Sequence, residues 1–148
     1  MSLNVELLES SFSQIKPQET EFMADFYETL FVDYPEVKPL FANTHMNKQA
    51  KQLFKSLVLV IENLRHPDVL SNALQSMGTR HIQYGVLPEH YPMVGSTLLK
   101  TLATYLDSAW TPTTEKAWSE AYTVVTELML SGTDYPVEIL TPYTQEVK

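Results

Sequence analysis

The feature that most constrains the fold is a run of apolar residues at helical spacing between positions 50 and 64. An α-helix has about 3.6 residues per turn, so residues three and four apart fall on one face. The run follows this spacing almost without interruption and ends before His66 and Pro67, where a helix is disfavoured. The sequence therefore predicts an amphipathic helix whose inward residues are Ala50, Leu53, Phe54, Leu57, Val58, Ile61 and Leu64.

The same spacing recurs along most of the chain and predicts further helices. Asn4 is a candidate cap for the first of them, and Pro17 closes it. Pro35 suits the first turn of a brief helical corner, because its missing N–H would be unpaired there. No strand-like alternation occurs, so the predicted fold class is all-α, with about seven helices. We expect them at about residues 5–15, 18–33, 35–41, 48–64, 67–81, 88–106 and 111–129.

The length of 148 residues predicts a single domain with one sizeable core. We expect this domain to cover residues 1–130. Residues 131–148 contain Pro136 and Pro142 and have no clear helical period. We interpret them as a loosely ordered C-terminal extension.

Charge and composition exclude several classes of function. The chain has 18 acidic and 10 basic residues, a formal net charge of −8, and its lysines are spread along the sequence. We therefore expect neither nucleic acid nor membrane as a partner. The absence of cysteine excludes thiolate metal sites and thiol nucleophiles. The longest apolar run, residues 57–61, is too short to span a bilayer, and no signal sequence is recognisable, so we expect a cytoplasmic protein.

Common catalytic motifs are also missing. The four glycines form neither a dinucleotide fingerprint nor a phosphate loop, and no nucleophile elbow is present. His45, His66 and His90 fall in predicted loops or at helix ends, where no pair of them is spaced to bind zinc. Nucleotide enzymes, serine hydrolases and simple zinc enzymes are therefore disfavoured.

His81 is the residue that points most directly to a function. Leu74, Met77 and His81 share one helical face, so the imidazole is aimed inward along an apolar stripe. An inward imidazole can bind a metal through one nitrogen while the other donates to a carbonyl such as that of Met77. Taken alone, a core histidine satisfied by backbone and water is the simpler interpretation. A single inward histidine also suits a metal whose other ligands come from a macrocycle.

Several short segments then occur in a characteristic order. They are Phe26-Tyr27, Leu30-Phe31, Pro35 with Leu40-Phe41, Gln49-Ala-Lys-Gln-Leu53, Ile61-Glu-Asn-Leu64, His81-Ile-Gln-Tyr-Gly85-Val86, His90-Tyr91-Pro-Met-Val-Gly95 and Ala117-Trp-Ser-Glu-Ala-Tyr122. Together they resemble the bacterial single-domain globins and the globin domains of flavohaemoglobins, over roughly residues 3–130.

The resemblance implies a globin fold and a haem b, iron protoporphyrin IX, between the helix of Gln49 and the helix of His81. His81 would be the proximal iron ligand and Phe41 would pack on the porphyrin, although a plain core role for Phe41 is an equal alternative. Arg80 would pair with a haem propionate or be a solvated charge. The remaining residues expected to bind the cofactor are Leu53, Phe54, Met77, Val86, Tyr91, Val94 and Leu98.

Tyr27 and Gln49 are the expected distal residues. A phenol and a carboxamide would both donate hydrogen bonds to bound O2, which predicts high affinity through slow dissociation. The alternative for Tyr27 is a core tyrosine whose hydroxyl is paired with backbone. His45 and Lys48 flank the distal helix and are either sixth ligands of the ferric iron or exposed loop residues.

Two functions follow from the resemblance. The first is binding of diatomic gases (O2, CO and NO), with high O2 affinity and NO dioxygenation supported by a separate reductase, which leaves enzyme activity open. The second is a haem-based gas sensor coupled to a partner or output domain.

Some relatives carry an acid late in the last helix that supports the proximal histidine. Residues 131–134 here are Ser-Gly-Thr-Asp, so strong activation of the O–O bond is not expected.

Overall fold

In the part of the chain that the structure describes, there are six α-helices and three 3₁₀ segments. The computed structural model describes residues 3–42, 44–83 and 89–131, with the side chains of 78–83 and 131 left outside the description. The α-helices are α1 (Val5–Ile15), α2 (Glu19–Asp33), α3 (Met46–Glu62), α4 (Pro67–Gln83), α5 (His90–Leu106) and α6 (Pro112–Ser131). The 3₁₀ segments are Lys16–Gln18, Pro35–Phe41 and Asp107–Ala109.

The described residues contain no strand, which confirms the all-α prediction. Within the same ranges, no helix is both long and apolar enough to cross a membrane. The predicted C-terminal extension lies outside the described residues, apart from Ser131 at the end of α6.

Local sequence signals set several helix ends. The Asn4 side chain accepts a hydrogen bond from the Leu7 N–H at 3.3 Å, which confirms the predicted cap of α1. At the start of α6, the Thr111 hydroxyl accepts from the Thr114 N–H at 3.2 Å. α5 ends at Leu106, and the residue that follows it, Asp107, has a positive φ of 47°. These hydrogen bonds and this backbone conformation mark where α1 and α6 begin and where α5 ends.

Among the described residues, the buried side chains form two hydrophobic clusters. The larger cluster joins α1, α2, α3, α5 and α6 around fully buried residues such as Phe22, Phe26 and Leu102. The smaller cluster joins α3, α4, α5 and α6 around Leu74 and Met129. The core is therefore divided into two parts within a single helical assembly.

A buried hydrogen-bond chain ties α1 to α6. The Trp118 indole N–H donates to the Ser11 hydroxyl at 2.9 Å, and that hydroxyl donates to the Leu7 carbonyl at 2.7 Å. The Trp118 ring also lies 6.3 Å from the ring of Phe12, centroid to centroid. Ser11 thus fixes the orientation of a tryptophan that reaches the centre of the protein.

Replacing Ser11 with Ala should destabilise the protein by about 1–3 kcal/mol, because the buried Trp118 N–H would lose its acceptor. Urea unfolding of the haem-loaded protein measures this change. The matched control is Ser13→Ala, an exposed serine whose hydroxyl bonds only to the Ser10 carbonyl and can be replaced by water. Equal losses for the two variants would contradict the role assigned to Ser11.

Candidate functional site

An internal cavity of about 190 Å³ lies among α2, the 3₁₀ segment Pro35–Phe41, α3, α4, α5 and α6. Its walls include members of both hydrophobic clusters. Apart from tyrosine and tryptophan, the polar side chains among its described lining residues are Gln49, Ser56, His90 and Thr126. The cavity is therefore an apolar site with few polar groups, as is typical of cofactor pockets.

The size of the cavity matters for stability. Apolar side chains that line an unfilled pocket lack packing partners, which costs stability. The whole stability of a domain is only about 5–15 kcal/mol. A large apolar group bound in this cavity would remove that cost, which couples folding to binding.

The structure brings most of the predicted site residues together. Tyr27 and Gln49 both reach the cavity, from α2 and α3 respectively. The residues predicted to bind the cofactor that line its wall are Phe41, Leu53, Met77, Tyr91, Val94 and Leu98.

Phe54 lies elsewhere. Its ring is buried against α1, where it stacks on Phe12 with centroids 5.4 Å apart. Successive residues of a helix differ in direction by about 100°, so Phe54 faces α1 while Leu53 faces the cavity. The prediction had assigned both residues to the same wall.

His81, Arg80 and Val86 lie outside the described side chains. His81 and Arg80 belong to α4, and His81 follows the cavity residue Met77 by one helical turn. Val86 belongs to the stretch between α4 and α5 that is not described. Their roles therefore stay predictions.

Tyr27 and Gln49 form the polar end of the cavity. The Gln49 amide Nε2 donates a hydrogen bond to the Tyr27 hydroxyl oxygen at 3.2 Å. A hydroxyl can accept and donate at once, and an amide NH2 has two N–H groups. One O–H of Tyr27 and one N–H of Gln49 therefore remain to donate to a ligand, since the structure pairs neither with another described residue.

Three phenylalanines hold the Tyr27 ring in place. Phe26 and Phe41 meet it edge to face, with centroids 5.0 and 5.7 Å away, and Phe31 lies 6.0 Å away. Burial raises the pKa of Tyr27 to about 12, and the hydrogen bond from Gln49 offsets part of that rise. The phenol consequently stays protonated, and able to donate, throughout the physiological pH range.

The two candidate sixth ligands of the sequence prediction do not reach the cavity wall. His45 precedes the first turn of α3 and Lys48 lies within it, and both are exposed. Neither is among the described residues that line the cavity. Both residues are therefore exposed, as the alternative expected, although Lys48 belongs to α3 and not to a loop.

His90 lines the cavity although the sequence analysis left it at a helix end. It is the first residue of α5, where it stands four and eight residues before Val94 and Leu98. Residues four and eight positions apart share one face of a helix, so this spacing could have predicted that His90 lines the cavity.

Tyr122 is a second lining residue that the sequence analysis did not assign. Its hydroxyl donates to the Tyr91 carbonyl at 2.7 Å, and its ring lies directly against Gly95. A Cβ at position 95 would be only 2.5 Å from Tyr122 Cε2, so this approach requires glycine. Tyr122 thereby fixes the first turn of α5, which carries Tyr91 and His90 to the cavity.

Comparison with known proteins identifies the family. The family model described as Globin matches residues 24–129, which is well over half of the chain. The chain belongs to the globin family. An uncharacterized globin-like protein of Aquifex aeolicus is 31% identical over 129 residues, which are 86% of this chain and 89% of that protein.

Two further similarities are to bacterial proteins. A flavohemoprotein of Deinococcus radiodurans is 36% identical over 107 residues, or 71% of this chain. The match is 27% of that relative, so this globin spans about a quarter of its length. A solved bacterial globin from Campylobacter jejuni has a TM-score of 0.74 at 27% identity and covers 86% of this chain and 92% of its own. The predicted globin fold is confirmed.

Membership of the family implies that this globin binds haem, and the residues present fit such a group. The cavity is largely apolar, is lined by members of both core clusters and includes Phe41 in its wall. Helix α4, which contributes Leu74 and Met77 to the cavity wall, continues to His81. The donor set of one phenol and one amide suits a small polar ligand rather than a bare metal ion. Among the described residues, no group of three histidine or acidic side chains could hold a metal.

The raised pKa of Tyr27 predicts a specific pH dependence of stability. In the unfolded chain the phenol ionises near 10.0, and in the folded chain at about 12. The stabilisation is therefore complete below pH 10 and is lost as the pH rises towards 12. Between about pH 9 and pH 11, the free energy of unfolding measured in urea should fall by about 1 kcal/mol more for the wild type than for Tyr27→Phe. Equal losses would show that Tyr27 ionises normally.

Proposed function

We propose that this globin binds haem b in the cavity, with His81 of α4 as the proximal ligand of the iron. Leu74 and Met77 of the same helix line the wall, and His81 stands one turn further along. Haem b, when bound, supplies a ferrous iron with one position for a diatomic gas. The apolar walls exclude water from this position, which slows oxidation of the iron.

We further propose that the function is reversible binding of O2 with high affinity. The observation that carries this proposal is the Tyr27–Gln49 pair at the polar end of the cavity. O2 gains partial negative charge on ferrous haem, so each donor aimed at it forms a charge-assisted hydrogen bond worth about 1.5–3 kcal/mol. Tyr27 donates its O–H and Gln49 its remaining N–H.

The same pair supports discrimination among gases. CO carries less negative charge than O2 on ferrous haem and gains less from the two donors. The phenylalanines around Tyr27 hold its hydroxyl in place, so little ordering is needed when O2 arrives. High O2 affinity should therefore arise from slow dissociation rather than fast association.

NO dioxygenation is the redox activity that we propose alongside O2 binding. In this reaction NO, O2 and one electron give nitrate, and the electron comes from a reductase. Support comes from the flavohemoprotein relatives, whose name denotes a flavin as well as haem. The alternative function as a gas sensor stays a prediction, because the extension that would carry its output lies outside the described residues.

Replacing Tyr27 with Phe should accelerate O2 dissociation by at least about tenfold, which equals 1.4 kcal/mol, because one hydrogen bond to the ligand is lost. CO dissociation should change much less. Stopped-flow replacement of O2 by CO measures the first rate. The control is Tyr34→Phe, a half-buried tyrosine outside the described cavity wall. An unchanged O2 rate in Tyr27→Phe would remove Tyr27 from the site.

A further inference from the structure

His90 is the one side chain in the described wall of the cavity that can carry a positive charge. The other described lining residues are apolar, aromatic or uncharged polar side chains. His90 is half-buried, which places it where the wall of the cavity meets the protein surface. It belongs to α5, whereas the donors Tyr27 and Gln49 belong to α2 and α3. Its position therefore suits a role other than contact with the gas ligand.

The cofactor proposed for this cavity brings two negative charges with it. Iron protoporphyrin IX carries two propionate carboxylates on one edge of an otherwise apolar macrocycle. A carboxylate that leaves water is costly unless a cation or hydrogen-bond donors pair with it. The chain as a whole has a net charge of −8 and does not attract anions. The propionates consequently need a local positive group at the edge of the cavity.

The imidazole of His90 can supply that group. An imidazole donates a hydrogen bond in both its neutral and its charged form, and a neighbouring carboxylate favours the charged form. Two other polar lining residues are already engaged within the protein. The Gln49 amide donates to the Tyr27 hydroxyl at 3.2 Å, and the Ser56 hydroxyl donates to the Gln52 carbonyl at 3.1 Å. His90 is therefore the best suited of the described lining residues to bind a carboxylate.

The start of α5 adds to the positive charge around His90. His90 is the first residue of this 17-residue helix, whose N-terminal end carries a partial positive charge. Glu89 precedes it, is exposed and makes no side-chain hydrogen bond to the helix, so solvent screens its charge. The hydrogen bond from the Tyr122 hydroxyl to the Tyr91 carbonyl, at 2.7 Å, holds this turn against α6. The imidazole thus comes from a turn that is fixed in place.

We propose that His90 binds a propionate carboxylate of the cofactor and anchors that edge of the macrocycle at the cavity. This role rests on the proposed binding of haem b. Arg80 of α4 stays the predicted partner of the other propionate. His90 would then slow the loss of haem, because the carboxylate must give up a charge-assisted hydrogen bond before the cofactor leaves.

The test compares the loss of two cofactors from wild type and from His90→Leu, measured by absorbance during transfer to excess apomyoglobin. The variant should lose haem b at least about fivefold faster, because a charge-assisted hydrogen bond in a half-exposed place is removed. The second cofactor is the dimethyl ester of haem b, whose propionates carry no charge. Its loss should change by less than about twofold, since the charged partner of His90 is then absent.

Two further variants separate charge from packing. His90→Lys keeps a positive charge and should return the loss of haem b to within about threefold of the wild-type rate. His66→Leu removes an exposed histidine outside the described cavity wall. It should leave the loss of both cofactors within about twofold of wild type, because surface charges contribute little.

Equal acceleration for the two cofactors in His90→Leu would overturn the proposal, because His90 would then act only through packing. An unchanged rate of haem b loss in that variant would overturn it as well. Either result, in a protein that takes up haem b with a five-coordinate ferrous spectrum, leaves the proposed function standing. A wild-type protein that takes up no haem overturns both.

Discussion

The physical constraint on which this structure depends is that residues from both of its described apolar clusters line a cavity that the helices leave unfilled. Side chains of α2 to α6 surround a cavity of about 190 Å³. Unfilled, it leaves apolar side chains without packing partners, which costs stability. Haem, which family membership implies, is an apolar group suited to that space. We infer that cofactor binding and folding stability are coupled in this globin.

Helix α3 divides the functions of the molecule among its faces. Towards the cavity it presents Gln49, whose amide holds and complements the Tyr27 hydroxyl. Towards α1 it presents Phe54, which packs on Phe12. Towards solvent it presents Lys51 and Lys55. A single regular helix can therefore place a candidate ligand-binding residue, a packing residue and surface charges, because its 3.6-residue period separates them by direction.

Sequence patterns predicted the helices well, since each buries an apolar face with its own period. The roles of Tyr27 and Gln49 came from the family resemblance, and the structure places both side chains at the cavity. The contacts of adjacent apolar residues were harder to predict. Leu53 and Phe54 both belong to a wide apolar face of the helix, and only tertiary packing decides which neighbours each of them contacts. Contacts between distant segments, such as that of Phe12 with Phe54, depend on tertiary structure and leave no local signal.

The most direct test of the account is the absorption spectrum of the haem-loaded protein and of His81→Ala, each ferrous and with CO. The account predicts a five-coordinate ferrous spectrum for the wild type, which CO converts to a six-coordinate one. His81→Ala should lose that spectrum and regain it when imidazole is added. Protein that stays colourless with ample haem, or a His81→Ala variant with the wild-type ferrous spectrum and no added imidazole, would contradict the account.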